Sequence, residues 1–290
     1  MADSEQEPLE PTLLPPEEIE PVSTDAPVSL QPLSAVEAPP AAPRRDSFPT
    51  WTGWDVLAVL CFTLAVVILF STAALAIAHV LTGKRHVSLT ELATSPTVAI
   101  GAQIAAYPVV IIFMIALVRS KARDRFWSAI RWNWPGPATI PFLLGGILFA
   151  FVVEFASRWL PIPKSLPVDK FFSDSGGAYL MAAFGVTLAP LLEELFFRGM
   201  LYPLIRRAFG IGAGVVLTGA AFASIHGAQL GYAWGPLVSI FVVGMVFTLV
   251  RERTNSVAAS FLMHSGYNFT LFAMLWIASD HFRHLEKVLN

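Results

Sequence analysis

The stretch Ala189–Arg207, "APLLEELFFRGMLYPLIRR", reads as a membrane helix with charge in its interior. Glu193 and Glu194 are adjacent within the apolar part, Arg198 follows one turn later, and Arg206 and Arg207 mark the end. Charged groups inside a span are costly and face a cavity or one another, which makes them functional candidates. The composition of the chain supports a membrane setting. Its 290 residues are 55% hydrophobic and 14% charged, whereas a soluble domain carries about 25% charged residues.

Outward from that stretch, seven hydrophobic segments are each near the ~20 residues that a bilayer requires. They run about Trp54–Leu81, Thr97–Val118, Ala138–Leu160, Tyr179–Arg198 with an extension to Arg207, Gly210–His226, Pro236–Val250 and Ser256–Ala278. The predicted fold is an all-α, polytopic membrane bundle with about seven helices, or eight if a half-inserted element is added. Pro108, Pro141 and Pro190 are candidate kinks. Residues 1–48 form an acidic, Pro-rich tail with no sustained apolar period, predicted to be disordered. Residues 49–137 hold the N-terminal helices and an interfacial segment, and 138–290 hold the core with the unusual polar residues.

Basic residues set the expected orientation. Arg119, Lys121, Arg123, Arg125 and Arg131 follow the second segment, Arg206 and Arg207 the fourth, and Arg251 and Arg253 the sixth. With Arg44 and Arg45 they place the N-terminus in the cytoplasm under the positive-inside rule. The expected location is the plasma membrane of a bacterium, with the lipid bilayer as the first partner. These basic residues are spread among loops and form no face interleaved with aromatics, so nucleic acid is not an expected partner. "RFWSAIRWNWPGP" (Arg125–Pro137) suits either an interfacial helix or an aromatic belt. "GIGAG" (Gly210–Gly214) follows no predicted strand and points to close helix packing rather than phosphate binding. Glu154 and Arg158 have the spacing of an interfacial ion pair, and "HFRH" (His281–His284) reads as a solvated tail. Cys61 is the single cysteine, so no intramolecular disulfide forms.

Polar residues within the apolar segments fall in three places. Besides Glu193, Glu194 and Arg198, these are "FASIH", with Phe222 and His226 at i, i+4, and "HSGYN", with His264 and Asn268 at the same spacing. At ~1.5 Å per residue, Glu193 lies roughly 20 Å from the basic end marked by Arg206, His226 roughly 28 Å from Arg207, and His264 roughly 16 Å from Arg253. All three levels are deep and close enough to converge. Glu194 and Arg198 can pair on one helix face. Glu193, about 100° round the helix, is then available to meet His226.

EExxxR (Glu193, Glu194, Arg198), FxxxH (Phe222, His226) and HxxxN (His264, Asn268), in this order on membrane helices, resemble the CPBP family of CAAX-processing and bacteriocin-processing (Abi) intramembrane proteases. The resemblance covers about residues 140–278. It implies hydrolysis of a peptide bond in a membrane-associated protein or peptide, without a cofactor. Carried over, it implies that Glu193 and His226 activate water, that His264 and Asn268 form the oxyanion hole, and that Glu194 and Arg198, with Phe222, brace the site. Two other readings remain from the residues themselves. Glu193, His226 and His264 could ligate Zn²⁺ with water as a fourth ligand, although no HExxH is present. A non-enzymatic scaffold or transporter would also bury such charges, although no inverted repeat is evident.

Overall fold

The computed structural model describes residues 49–82, 88–93, 95–122, 125–172 and 174–285. The predicted tail, residues 1–48, lies outside them. The described residues form α-helices with 3₁₀ and π turns and contain no strand. The helices are α1 (Gly53–Thr82), α2 (Leu89–Ala93), α3 (Pro96–Lys121), α4 (Phe126–Ala129), α5 (Thr139–Ser157), α6 (Ser175–Val186), α7 (Leu188–Glu194), α8 (Tyr202–Ile225), α9 (Trp234–Thr254) and α10 (Val257–Ala278).

Five helical segments are long and apolar enough to cross a membrane: Gly53–Thr82, Pro96–Lys121, Gly136–Ser157, Ser175–Ile225 and Trp234–Thr254. The chain is an integral membrane protein, but length and hydropathy do not return the expected seven or eight. The fourth and fifth expected segments belong to one 51-residue run. The seventh, α10, is not among the five. Its own polar residues, His264, Tyr267 and Asn268 among them, lower its hydropathy.

α1 and α3 pair side by side because each presents a stripe of small and branched apolar residues to the other. Val59, Val110, Met114 and Val118 are buried between them and their neighbours. The Phe62 and Phe113 rings stack at 4.0 Å, and Lys121 lies 3.4 Å from Asp55 at one end of the pair. The outer face of α1 keeps Leu64, Ile68 and Leu69 exposed, as a lipid-facing helix requires.

α5 and α10 pack more closely still. A Cβ on Gly146 would lie 2.1 Å from the Met263 carbonyl oxygen, and one on Gly266 would lie 2.3 Å from that of Leu143. Only glycine at both positions lets the backbones touch, the small-residue packing expected where lipid supplies no hydrophobic drive.

The run from α6 to α8 is broken three times. Asp174 caps α6 by accepting the Gly177 N–H, and the helix stops at Thr187, whose ψ of −78° departs from helical values. Pro190 and Pro141 fall in the first turns of α7 and α5, where a missing N–H costs nothing. Residues Leu195–Leu201 wind as a π-helix. Gly210 has φ 82° and ψ 176°, a conformation essentially reserved for glycine, and there the chain reverses. Of the other "GIGAG" glycines, Gly214 packs closely, its Cβ position 3.0 Å from the Tyr202 ring.

Hydrogen bonds gather the remaining helix ends. At the arginine-rich end, Tyr202 Oη donates to Glu252 at 2.8 Å, Arg206 pairs with Glu252 at 3.0 Å, and the Val257 N–H donates to the Arg131 carbonyl. At the opposite end, the Val168 N–H donates to the Gln229 carbonyl, and Tyr179 Oη to that of His281 at 3.3 Å. The Arg125–Pro137 segment forms the one-turn α4 and enters a 3₁₀ turn at Gly136, with Phe126 and Ile130 buried and Trp127 and Trp134 exposed. Two smaller expectations are corrected. Arg158 does not pair with Glu154, its guanidinium lying instead over the Phe155 ring at 5.6 Å. The "HFRH" tail is not simply solvated, because Phe282 and Leu285 are buried against Phe172 and Ala178.

Candidate active site

Glu194 is completely buried, and its carboxylate accepts from three side chains. Arg198 Nη1 donates to Oε1 at 2.8 Å, Ser260 Oγ donates to Oε2 at 2.6 Å, and His264 Nδ1 lies 3.0 Å from Oε1. A buried carboxylate needs this degree of satisfaction, since its desolvation otherwise costs several kcal/mol. Arg198 is equally buried. Its Nη2 donates to the Gly244 carbonyl at 2.8 Å, and its Nε to Thr248 Oγ1 at 3.3 Å. Its guanidinium lies 4.6 Å from the Phe222 ring centroid and 5.5 Å from that of Phe247, close enough for cation–π attraction. The network thus ties α7 and the π-helix to α9 and α10.

Glu193, one residue earlier, points elsewhere. Its Oε2 lies 3.7 Å from His264 Nε2, and its side chain keeps 19% of its surface exposed. It lines a cavity of about 340 Å³ together with His226, His264, Asn268, Gln103 and Tyr107. His226 caps the end of α8, where its Nδ1 lies 2.9 Å from the Phe222 carbonyl oxygen. Asn268 Nδ2 donates to the Gly185 carbonyl, left open at the end of α6, at 2.7 Å. The π-helix begins one residue after the glutamate pair, a device frequent at functional sites.

Hydrogen-bond chemistry assigns the imidazole tautomers. A carbonyl oxygen only accepts, so Nδ1 of His226 carries the proton and Nε2 of the neutral ring is the basic atom. Glu194 beside Arg198 is likewise an acceptor, so Nδ1 of His264 donates to it and Nε2 is the atom turned toward Glu193. For His264 to donate to an oxyanion, Nε2 must carry a proton as well.

The seven motif residues therefore come together, but with a different pairing from the expected one. The Glu194–Arg198 pair forms as the spacing requires. The imidazole within reach of Glu193 is His264, while His226 lines the same cavity. Ser260, Thr248 and Gly244 were not singled out from the sequence. Ser260 is one turn before His264 on α10, and that same-face spacing is the signal that could have found it. Among the described residues, no group of three or more His, Cys, Asp or Glu is arranged to hold a metal ion. Glu193, His226 and His264 thus form no such group here.

Residues 175–270 match the family model described as type II CAAX prenyl endopeptidase Rce1-like. The resemblance read from the three motifs is thereby borne out over this stretch, and the match indicates a CAAX-protease-type hydrolase. α1 to α5 lie outside it. Searches of curated proteins and of solved structures gave no match.

Proposed function

We propose that the protein is an intramembrane endopeptidase in which Glu193 and His226 activate water, while His264 and Asn268 stabilise the oxyanion. The observation that carries this reading is the convergence of these four side chains, from three separate helical segments, on one cavity deep in an apolar bundle. Water held between Glu193 and Nε2 of His226 loses a proton as its oxygen attacks the scissile carbonyl carbon. The oxyanion then accepts from protonated His264 Nε2 and from the second amide N–H of Asn268. Collapse breaks the C–N bond, and the proton taken from water passes to the leaving amine. Donors fixed in a water-poor site and aimed at a developing oxyanion each contribute about 3–4 kcal/mol to such a step.

Glu194, Arg198, Ser260 and Phe222 have the supporting part. They hold His264 in one orientation through its Nδ1–H, so no reorganisation is needed when charge develops. Prenylated CAAX peptides are the first substrates to try, given the family matched, beside unprenylated membrane-tethered peptides.

The test is cleavage of a membrane-tethered peptide library, prenylated members included, by purified wild type, Glu193→Ala and His226→Ala, each with and without chelator. Loss of cleavage in both variants with indifference to chelator is the expected result. Intact cleavage by either variant refutes the assignment. Loss with chelator and recovery with Zn²⁺ would replace it with a metalloprotease.

A further inference from the structure

Beyond Glu193, His226, His264 and Asn268, the polar side chains among the described residues that line the cavity are Gln103, Tyr107, Gln229 and Tyr267. Gln229 lies in an exposed loop, and Tyr267 packs among the rings of Phe149 and Phe247. The other two are on α3, outside the matched stretch 175–270. They are four residues apart and so share one helix face. Gln103 is the one carboxamide in an otherwise apolar span, where a polar group is costly to keep without a partner.

The α3 pair is only loosely engaged. Tyr107 Oη donates to Gln103 Oε1 at 3.3 Å, and Gln103 Nε2 donates to the Ala99 carbonyl at 3.5 Å. Both are long for hydrogen bonds. A carboxamide offers two N–H groups and an oxygen that accepts twice, so Gln103 keeps a donor and an acceptor for a ligand. A peptide group carries the complementary pair.

Its position is as telling. Tyr107 and Glu193 both line this cavity and also a second, apolar one of about 190 Å³, so they stand on one shared wall. The Tyr107 ring lies 5.2 Å from that of Phe184, the neighbour of Gly185, whose carbonyl accepts from Asn268. The pair therefore stands beside both the carboxylate and the amide of the proposed reaction.

We propose that Gln103, steadied by Tyr107, holds the substrate backbone beside the scissile bond, accepting a peptide N–H and donating to a peptide carbonyl. This deepens the proteolytic reading above and rests on it.

The test uses full-length protein in detergent and a peptide that wild type cleaves. Gln103→Leu is expected to raise KM roughly 3- to 10-fold, with kcat held and the melting temperature unchanged. Tyr107→Phe keeps the ring against Phe184 and is expected to raise KM less. Substrates with one backbone N–H at a time replaced by an ester oxygen then locate the contact. One link beside the scissile bond should be penalised in wild type and not in Gln103→Leu. An unchanged KM in Gln103→Leu, or the same ester penalties in both proteins, overturns the proposal and leaves the protease standing. Binding of the labelled peptide to Glu193→Gln, with and without Gln103→Leu, gives a readout free of turnover. Weaker binding with Gln103→Leu is expected, and equal binding overturns the proposal. Binding that depends on Gln103, without cleavage by wild type of any peptide, refutes the protease reading alone. Peptides that wild type neither binds nor cleaves overturn both.

Discussion

Two adjacent glutamates inhabit opposite environments. Around Glu194 nothing is left open: its carboxylate is inaccessible, and three side chains donate to it. Around Glu193 much is left open: its nearest polar partner is His264 at 3.7 Å, and it faces a cavity. The same residue type is placed once inside a closed polar network and once on the wall of a cavity. The 100° turn between neighbours on a helix achieves this separation. A closed polar network gives rigidity, and an open carboxylate beside it can then act without reorganising its surroundings.

The contrast can be broken by substitution. Glu193→Gln removes the proposed general base, so cleavage should fall roughly 100- to 10,000-fold, with the melting temperature in detergent unchanged. Arg198→Ala should act first on stability. It strands a buried carboxylate and should cost about 3–5 kcal/mol of stability, read as a lowered unfolding transition. If Glu193→Gln unfolds the protein while Arg198→Ala leaves it stable, the division between the two glutamates is wrong. Glu194→Gln combined with Arg198→Met should recover part of that loss, because both charges go together.

Smaller effects sharpen the comparison. Ser260→Ala removes a hydrogen bond to a charged group and should destabilise by about 1.5–3 kcal/mol. By loosening the anchor of His264 it should also lower kcat more than it changes KM. Gly266→Ala should cost about 1–3 kcal/mol through overpacking, because its Cβ would meet the Leu143 carbonyl oxygen. Gly145→Ala, where a Cβ meets nothing within 4 Å, is the control. Differential scanning measurements in one detergent separate the two.

Much of this was legible in the sequence. The apolar runs, the arginine clusters and the three polar motifs identify a membrane-embedded helical protein and the residues of interest. The reason is that water-free surroundings make every intramembrane charge expensive, so each one stands out. Local spacing also predicted the Glu194–Arg198 pair, since neighbours one turn apart must be adjacent. The span count was less legible. Gly210 turns the chain between the fourth and fifth expected segments inside one helical run, and His264, Tyr267 and Asn268 make α10 less apolar than a span usually is.

What only the tertiary structure decided is which partner each group meets across helices. Nothing local places Ser260 and His264 against Glu194, or Thr248 and Gly244 against Arg198. These contacts depend on how α9 and α10 cross the π-helix, and on Gly146 and Gly266 drawing α5 against α10. Chain-neighbour geometry is set by helix pitch and is therefore readable one residue at a time. Contacts between helices depend on packing summed over whole faces, and the cavity is the space that this packing leaves.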